Sequence, residues 1–100
     1  MFEINYWKEA KKEYQHLDGS QKVFVDKALD RIKIQGMQAG AQLHGELHNC
    51  RKLKNRKMGL RVVFTQENQK ISIISIIAIG KRSDEEVYQD AEERIKKRQY

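Results

Sequence analysis

Arg51-Lys52-Leu53-Lys54-Asn55-Arg56-Lys57-Met58-Gly59-Leu60-Arg61 is the stretch whose reading decides the fold. From Arg51 to Arg56 basic residues alternate with others, which puts Lys52, Lys54 and Arg56 on one face of an extended strand. Gly59 marks a hairpin turn. Leu60 to Thr65 is then the return strand, with Leu60, Val62 and Phe64 on one face and Arg61, Val63 and Thr65 on the other. Six of the eleven positions are Lys or Arg and none is acidic, so the rest of the chain holds fourteen basic against fourteen acidic residues. The whole formal charge of +6 therefore sits in this hairpin. A field so concentrated implies a polyanionic partner.

Toward the C-terminus, Glu67-Asn68-Gln69 makes a second turn, and Ile71 to Ile79 is apolar on both faces. That pattern predicts a central strand with a helix layer on one side. Ser83-Asp84-Glu85-Glu86 has the form of a capping box, with Ser83 as cap. A last helix carries Val87, Ala91 and Ile95 at helical spacing.

Toward the N-terminus, Met37 to Asn49 lacks periodicity and holds Gly40 and Gly45, as a connector does. Before it, Val25, Ala28, Leu29 and Ile32 trace one apolar stripe, with Gly36 as the stop. Asp18-Gly19-Ser20 separates this helix from an earlier one, and Ser20 is placed to cap it. Trp7, Ala10, Tyr14 and Leu17 form the earlier helix's stripe, and Phe2 to Tyr6 alternates as a strand does. The order is β-α-α-β-β-β-α. It predicts a two-layer α+β fold: two N-terminal helices and a C-terminal helix on a small, mainly antiparallel four-stranded sheet.

One hundred residues suit a single domain. Cys50 is alone, which excludes an intramolecular disulfide and fits a reducing cytoplasm. The start of the chain is not a signal peptide, and the apolar run 71–80 contains two serines and is too short to span a bilayer. No membrane association and no small-molecule cofactor are expected. His44 and His48 flank Gly45 with no third ligand nearby, so no metal site is expected either. His16 reads as a surface or capping residue, Cys50 as a small buried hydrophobe, and Tyr6, Trp7 and Tyr14 as core. Lys96-Lys97-Arg98 reads as a solvated helix end favoured by the helix dipole.

Lys52, Lys54 and Arg61, joined by Arg82 beyond the last strand and by Tyr88, would make a pocket of cations with one phenol. Such a pocket suits a phosphodiester. A metal-independent ribonuclease must take the 2′-OH proton, stabilise charge on the phosphorane oxygens and protonate the leaving 5′-oxygen. Clustered cations meet the second need directly and disfavour protonation of a neighbouring lysine, which can then act as base. On composition alone, a basic strand that binds nucleic acid without chemistry is the simpler reading.

Five pieces together change that balance: Leu43-His44-Gly45, Cys50-Arg51-Lys52-Leu53-Lys54, Gly59-Leu60-Arg61-Val62-Val63-Phe64, Ile79-Gly80-Lys81-Arg82 and Glu86-Val87-Tyr88. In combination they resemble the RelE toxins of the RelE/ParE superfamily, and the likeness covers nearly the whole chain. The resemblance implies one toxin domain over residues 1–100, the toxin of a type II toxin–antitoxin pair. It implies an endoribonuclease that cuts mRNA in the ribosomal A site, with mRNA, ribosomal RNA and a cognate antitoxin as partners. By the same resemblance, Lys52 and Lys54 surround the 2′-OH and Arg61 stabilises the transition-state phosphate. Arg82 assists the leaving group, and Tyr88 stacks on or orients a base. Arg51, Arg56, Lys57 and Lys81 are left as RNA-docking charge. The chain departs from the family pattern at Arg51, where a tyrosine precedes the first lysine, and at Leu60, where an aromatic precedes the arginine. Both departures bear on substrate positioning and codon preference. Two other readings stay open: a ParE-like inhibitor of DNA gyrase and a non-catalytic RNA-binding domain.

Overall fold

The computed structural model describes residues 1–68, 72–81 and 86–99, the last without its side chain. Strand β1 (Glu3–Tyr6) leads into helices α1 (Lys8–Gln15) and α2 (Gly19–Gln35). A short strand β2 (Ala41–Gln42) precedes the hairpin β3 (Arg51–Asn55) and β4 (Leu60–Thr65). Strand β5 (Ile73–Lys81) and helix α3 (Glu86–Gln99) complete the order.

The sheet has five strands in the order β1-β5-β4-β3-β2, one more than the four predicted. The extra strand lies inside the expected connector. Ala41 and Gln42 pair with Lys52 and Arg51, a segment too short to show a period in sequence. β1 runs parallel to β5, and the other pairings are antiparallel.

The helices do not form one layer. α1 and α2 bury Ala10, Val25, Ala28, Leu29 and Ile32 against Leu53, Val62, Phe64, Ile74, Ile76 and Ile79. α3 lies on the opposite face, where Val87 and Ala91 meet Val63, Ile77, Ala78, Leu47 and Cys50. A strand apolar on both faces needs cover on both, so the two-layer expectation becomes helices on each side. A bulge lets β5 serve both. Val63 pairs with Ala78 but Phe64 pairs with Ile76, so Ile77 is extra and faces α3 together with Ala78.

Local corrections are few and physical. α2 is capped by Asp18, not Ser20: the Asp18 carboxylate accepts from the Gln21 N–H at 2.8 Å, and the Gln21 side chain returns a bond to the Asp18 N–H. Ser20 sits inside the helix and donates to the same carboxylate. Trp7 precedes α1 and packs with the α3-side cluster, not with the stripe of Ala10 and Tyr14. Gly36 ends α2 and Gly59 ends the hairpin loop, both at positive φ. Ile71, Gln69 and the capping box at Ser83-Asp84-Glu85 lie outside the described residues. Among the described residues no helix is long and apolar enough to cross a membrane.

The Asp18 cap predicts a pH dependence. The Gln21 N–H, then the Ser20 hydroxyl and, more weakly, the Lys81 ammonium hold its carboxyl below the usual aspartate range. A carboxyl with a depressed folded pKa stabilises the fold above its unfolded pKa and loses that contribution as pH falls through the folded value. Below about pH 4 the melting temperature of the wild type should therefore fall more steeply than that of Asp18→Asn. Thermal scans between neutral and acidic pH check this, and parallel curves would count against it.

Candidate functional site

Three strands place the cations. Lys52 pairs with Val63 and Val63 with Ala78; Lys54 pairs with Arg61 and Arg61 with Gly80. Paired residues share a face, and Val63 and Ala78 pack under α3. Lys52, Lys54 and Arg61 therefore all project on the α3 side, in two adjacent rows roughly 7 Å apart along the strands. The first turn of α3 brings Tyr88 into this group, with Lys52 Nζ 5.6 Å from the ring centroid, a cation–π distance. Four of the five predicted catalytic residues thus converge. The fifth, Arg82, lies outside the described residues.

Arg61 is the unusual member. It stands in the central strand, all six residues of which are buried, and is itself only 5% exposed. Its Nη1 donates to the Leu60 carbonyl at 3.1 Å, its Nε has no partner among the described residues, and no described carboxylate pairs with it. The Tyr88 hydroxyl is likewise buried and has no partner among the described residues. A buried polar group left unsatisfied costs about 1–3 kcal/mol, and a charged one more. Two such groups, on side chains of one cation-bearing side of the sheet, suit an anionic ligand.

The expected docking charges are dispersed. Arg51 pairs with Phe64, so it faces α2, and it is half-buried with Nη1 donating to the Gly40 carbonyl at 3.2 Å. Lys81 pairs with Leu60, on that same side, near Asp18. Arg56 and Lys57 are exposed in the turn. Arg56 leaves the face shared by Lys52 and Lys54 because β3 ends at Asn55, whose side chain accepts from the Met58 N–H.

Other groups have structural uses. Burial pushes the Cys50 thiol up to about 11, against a smaller opposite effect of the Thr65 hydroxyl, which leaves it inert near neutral pH. His16 closes α1 with Nδ1 on the Lys12 carbonyl, and His48 Nδ1 lies on the Gly45 carbonyl. Lys96 and Lys97 are exposed, whereas the Arg98 guanidinium stacks 3.9 Å from the Trp7 ring and pairs with Glu67. A cleft of about 870 Å³ opens nearby, lined by Trp7, His48, Thr65, Glu92 and Arg98 among others, but it includes none of the converging cations. Sequence gave no sign of the Glu13–Arg94 ion pair, whose members are 81 positions apart.

Fold and site together define a small basic α+β protein with a cation-lined sheet face under its last helix. No family model matches the chain. An Escherichia coli protein described as a RelE-like toxin is 30% identical over 95 residues, covering 95% of this chain and 98% of the relative. The mRNA interferase toxin RelE of Escherichia coli K12 is 28% identical over 92 residues, covering 92% and 95%. Among solved structures, mutant E. coli RelE in the free state superposes with a TM-score of 0.77 at 27% identity, covering 94% of this chain and 97% of the other. Mutant E. coli RelE bound to a peptide of the antitoxin RelB gives 0.70 at 26% identity, covering 90% and 93%. The chain belongs to the RelE family of toxins.

Proposed function

We propose that this protein is the toxin of a type II toxin–antitoxin pair, a single-domain, metal-independent endoribonuclease that cuts mRNA in the ribosomal A site in the cytoplasm. The observation that carries the reading is the grouping of Lys52, Lys54, Arg61 and Tyr88 on one face, with Arg61 Nε and the Tyr88 hydroxyl without partners among the described residues. The relatives named as mRNA interferases and the RelE–antitoxin structure support it.

In this reading one of the two lysines takes the 2′-OH proton. The 2′-oxygen attacks phosphorus and the P–O5′ bond breaks, leaving a 2′,3′-cyclic phosphate and a 5′-oxygen that accepts a proton. Arg61, already largely desolvated, stabilises the charge that the phosphorane oxygens gain. Arg82 serves the leaving oxygen, and the Tyr88 ring holds a base. Arg56 and Lys57 contribute docking charge, while Arg51 and Lys81, on the other face, reach RNA or ribosome away from the cut. A cognate antitoxin silences the protein.

The test adds the purified protein, freed of antitoxin, to a cell-free translation reaction and maps 5′ ends by primer extension. Cuts within A-site codons that vanish in Lys52→Ala and are slowed but still measurable in Tyr88→Ala are the expected result. Intact message alongside stabilised gyrase cleavage complexes would reject it in favour of gyrase inhibition.

A further inference from the structure

β1 follows β5 only as far as Ile76, while β5 continues to Lys81. Two side chains take over the edge that β1 leaves. The Ile79 N–H donates to Glu13 Oε1 at 3.1 Å, and the Ile77 carbonyl accepts from Arg94 Nη1 at 2.9 Å. Glu13, on α1, and Arg94, on α3, also meet each other in a two-pronged bond of 2.7 and 3.1 Å. Their side chains are only 25% and 15% exposed. One ion pair therefore ties α1, β5 and α3 together.

We infer that Glu13 and Arg94 form a positioning pair for the cleavage site, fixing α3 on the sheet so that Tyr88 is held over Lys52. The inference rests on the cleavage function proposed above. Arg94 follows Tyr88 by six positions on one continuous helix, a rise of roughly 9 Å, so a fixed Arg94 fixes the start of α3. The strand side is held as well, because Ile79 adjoins Gly80, the partner of Arg61, and Val87 lies against Gly80. The apolar stripe of α3 is thin, with Val87, Ala91 and Ile95 as its members. Such a stripe sets how closely the helix approaches but resists sliding and rotation weakly. A two-pronged guanidinium–carboxylate bond is directional and supplies that restraint. Neither residue needs to touch RNA.

The experiment is a double-mutant cycle on cleavage in the cell-free translation reaction, measuring maximal rate and half-saturating protein concentration. Arg94→Ala should lower the maximal rate about 10- to 100-fold, the scale of a small misplacement of a reacting group, with half-saturation moved less than about threefold. Arg94→Ala combined with Tyr88→Ala should be no slower than Tyr88→Ala alone, since the pair acts through that ring. Glu13→Gln, which keeps an acceptor for Ile79 and Arg94, should retain most of the rate that Glu13→Ala loses. If Arg94→Ala does not fold, the cycle between Glu13→Ala and Tyr88→Ala gives the same reading. Losses that multiply in full, or an equal loss in half-saturation, overturn the inference while leaving the cleavage function standing. A wild type that makes no cuts overturns the cleavage function, and the inference with it.

Discussion

Arg61→Met is expected to abolish mRNA cleavage and at the same time raise the melting temperature. Loss of a preorganised donor at a developing oxyanion costs about 10²–10³-fold in rate, and Arg61 is the cation most fully withdrawn from water. Stability should move the other way. The guanidinium is buried and, among the described residues, is bonded to its neighbour's carbonyl and has no partner for Nε. Replacing such a charge with an apolar side chain that keeps the stem's packing typically gains about 1–4 kcal/mol. For a domain of this size each kcal/mol moves the melting temperature by about 4–8 °C. Tyr88→Phe should likewise raise the melting temperature, by losing a buried hydroxyl that has no partner among the described residues, but should keep most of the cleavage because the ring remains. Primer extension and a thermal scan on the same preparations test both halves. A lower melting temperature in Arg61→Met would mean that Arg61 serves the fold, and the case for a site strained toward its ligand would fail.

The side of the sheet on which Arg61 lies was legible from two-residue alternation, because Leu60, Val62 and Phe64 are strongly apolar and leave Arg61, Val63 and Thr65 for the other face. Its burial was not, since alternation says nothing about what covers a face, and that cover is α3 from the far end of the chain. The same limit hid the second helix layer. Parity also ran out at Ile77, where one extra residue turns two consecutive side chains to α3. The pairing of Lys54 with Arg61 could be read from the hairpin, and parity set Arg51 apart from Lys52 and Lys54 as docking charge, but not its bond to the Gly40 carbonyl, which comes from the connector. Charge pattern identifies the cations; only the sheet shows which of them share a surface.

Phe64→Ala should be the most destabilising single change. The ring is fully buried in the α1/α2-side core, in the central strand next to the bulge. Truncating a buried phenylalanine costs about 3–5 kcal/mol, a large part of the roughly 5–15 kcal/mol that holds a domain together. The melting temperature should fall by roughly 15–30 °C. The ring also explains Gly40. A Cβ there would stand 2.7 Å from the Phe64 ring and 2.7 Å from the Lys52 carbonyl, although the backbone at φ −123° would accept any residue. Gly40→Ala should therefore cost about 1–3 kcal/mol by overpacking alone. It should also slow cleavage, because the carbonyl it pushes belongs to a residue of the cation face. The two changes should not add: with the ring gone, the Lys52 carbonyl is what remains of the three nearest contacts, and the double variant should be more stable than the sum of the singles predicts by about 0.5–3 kcal/mol. Denaturant unfolding of the four proteins decides it. Full additivity would assign the whole clash to the Lys52 backbone, and Gly40 would then be a glycine for the sake of β3 rather than of the core.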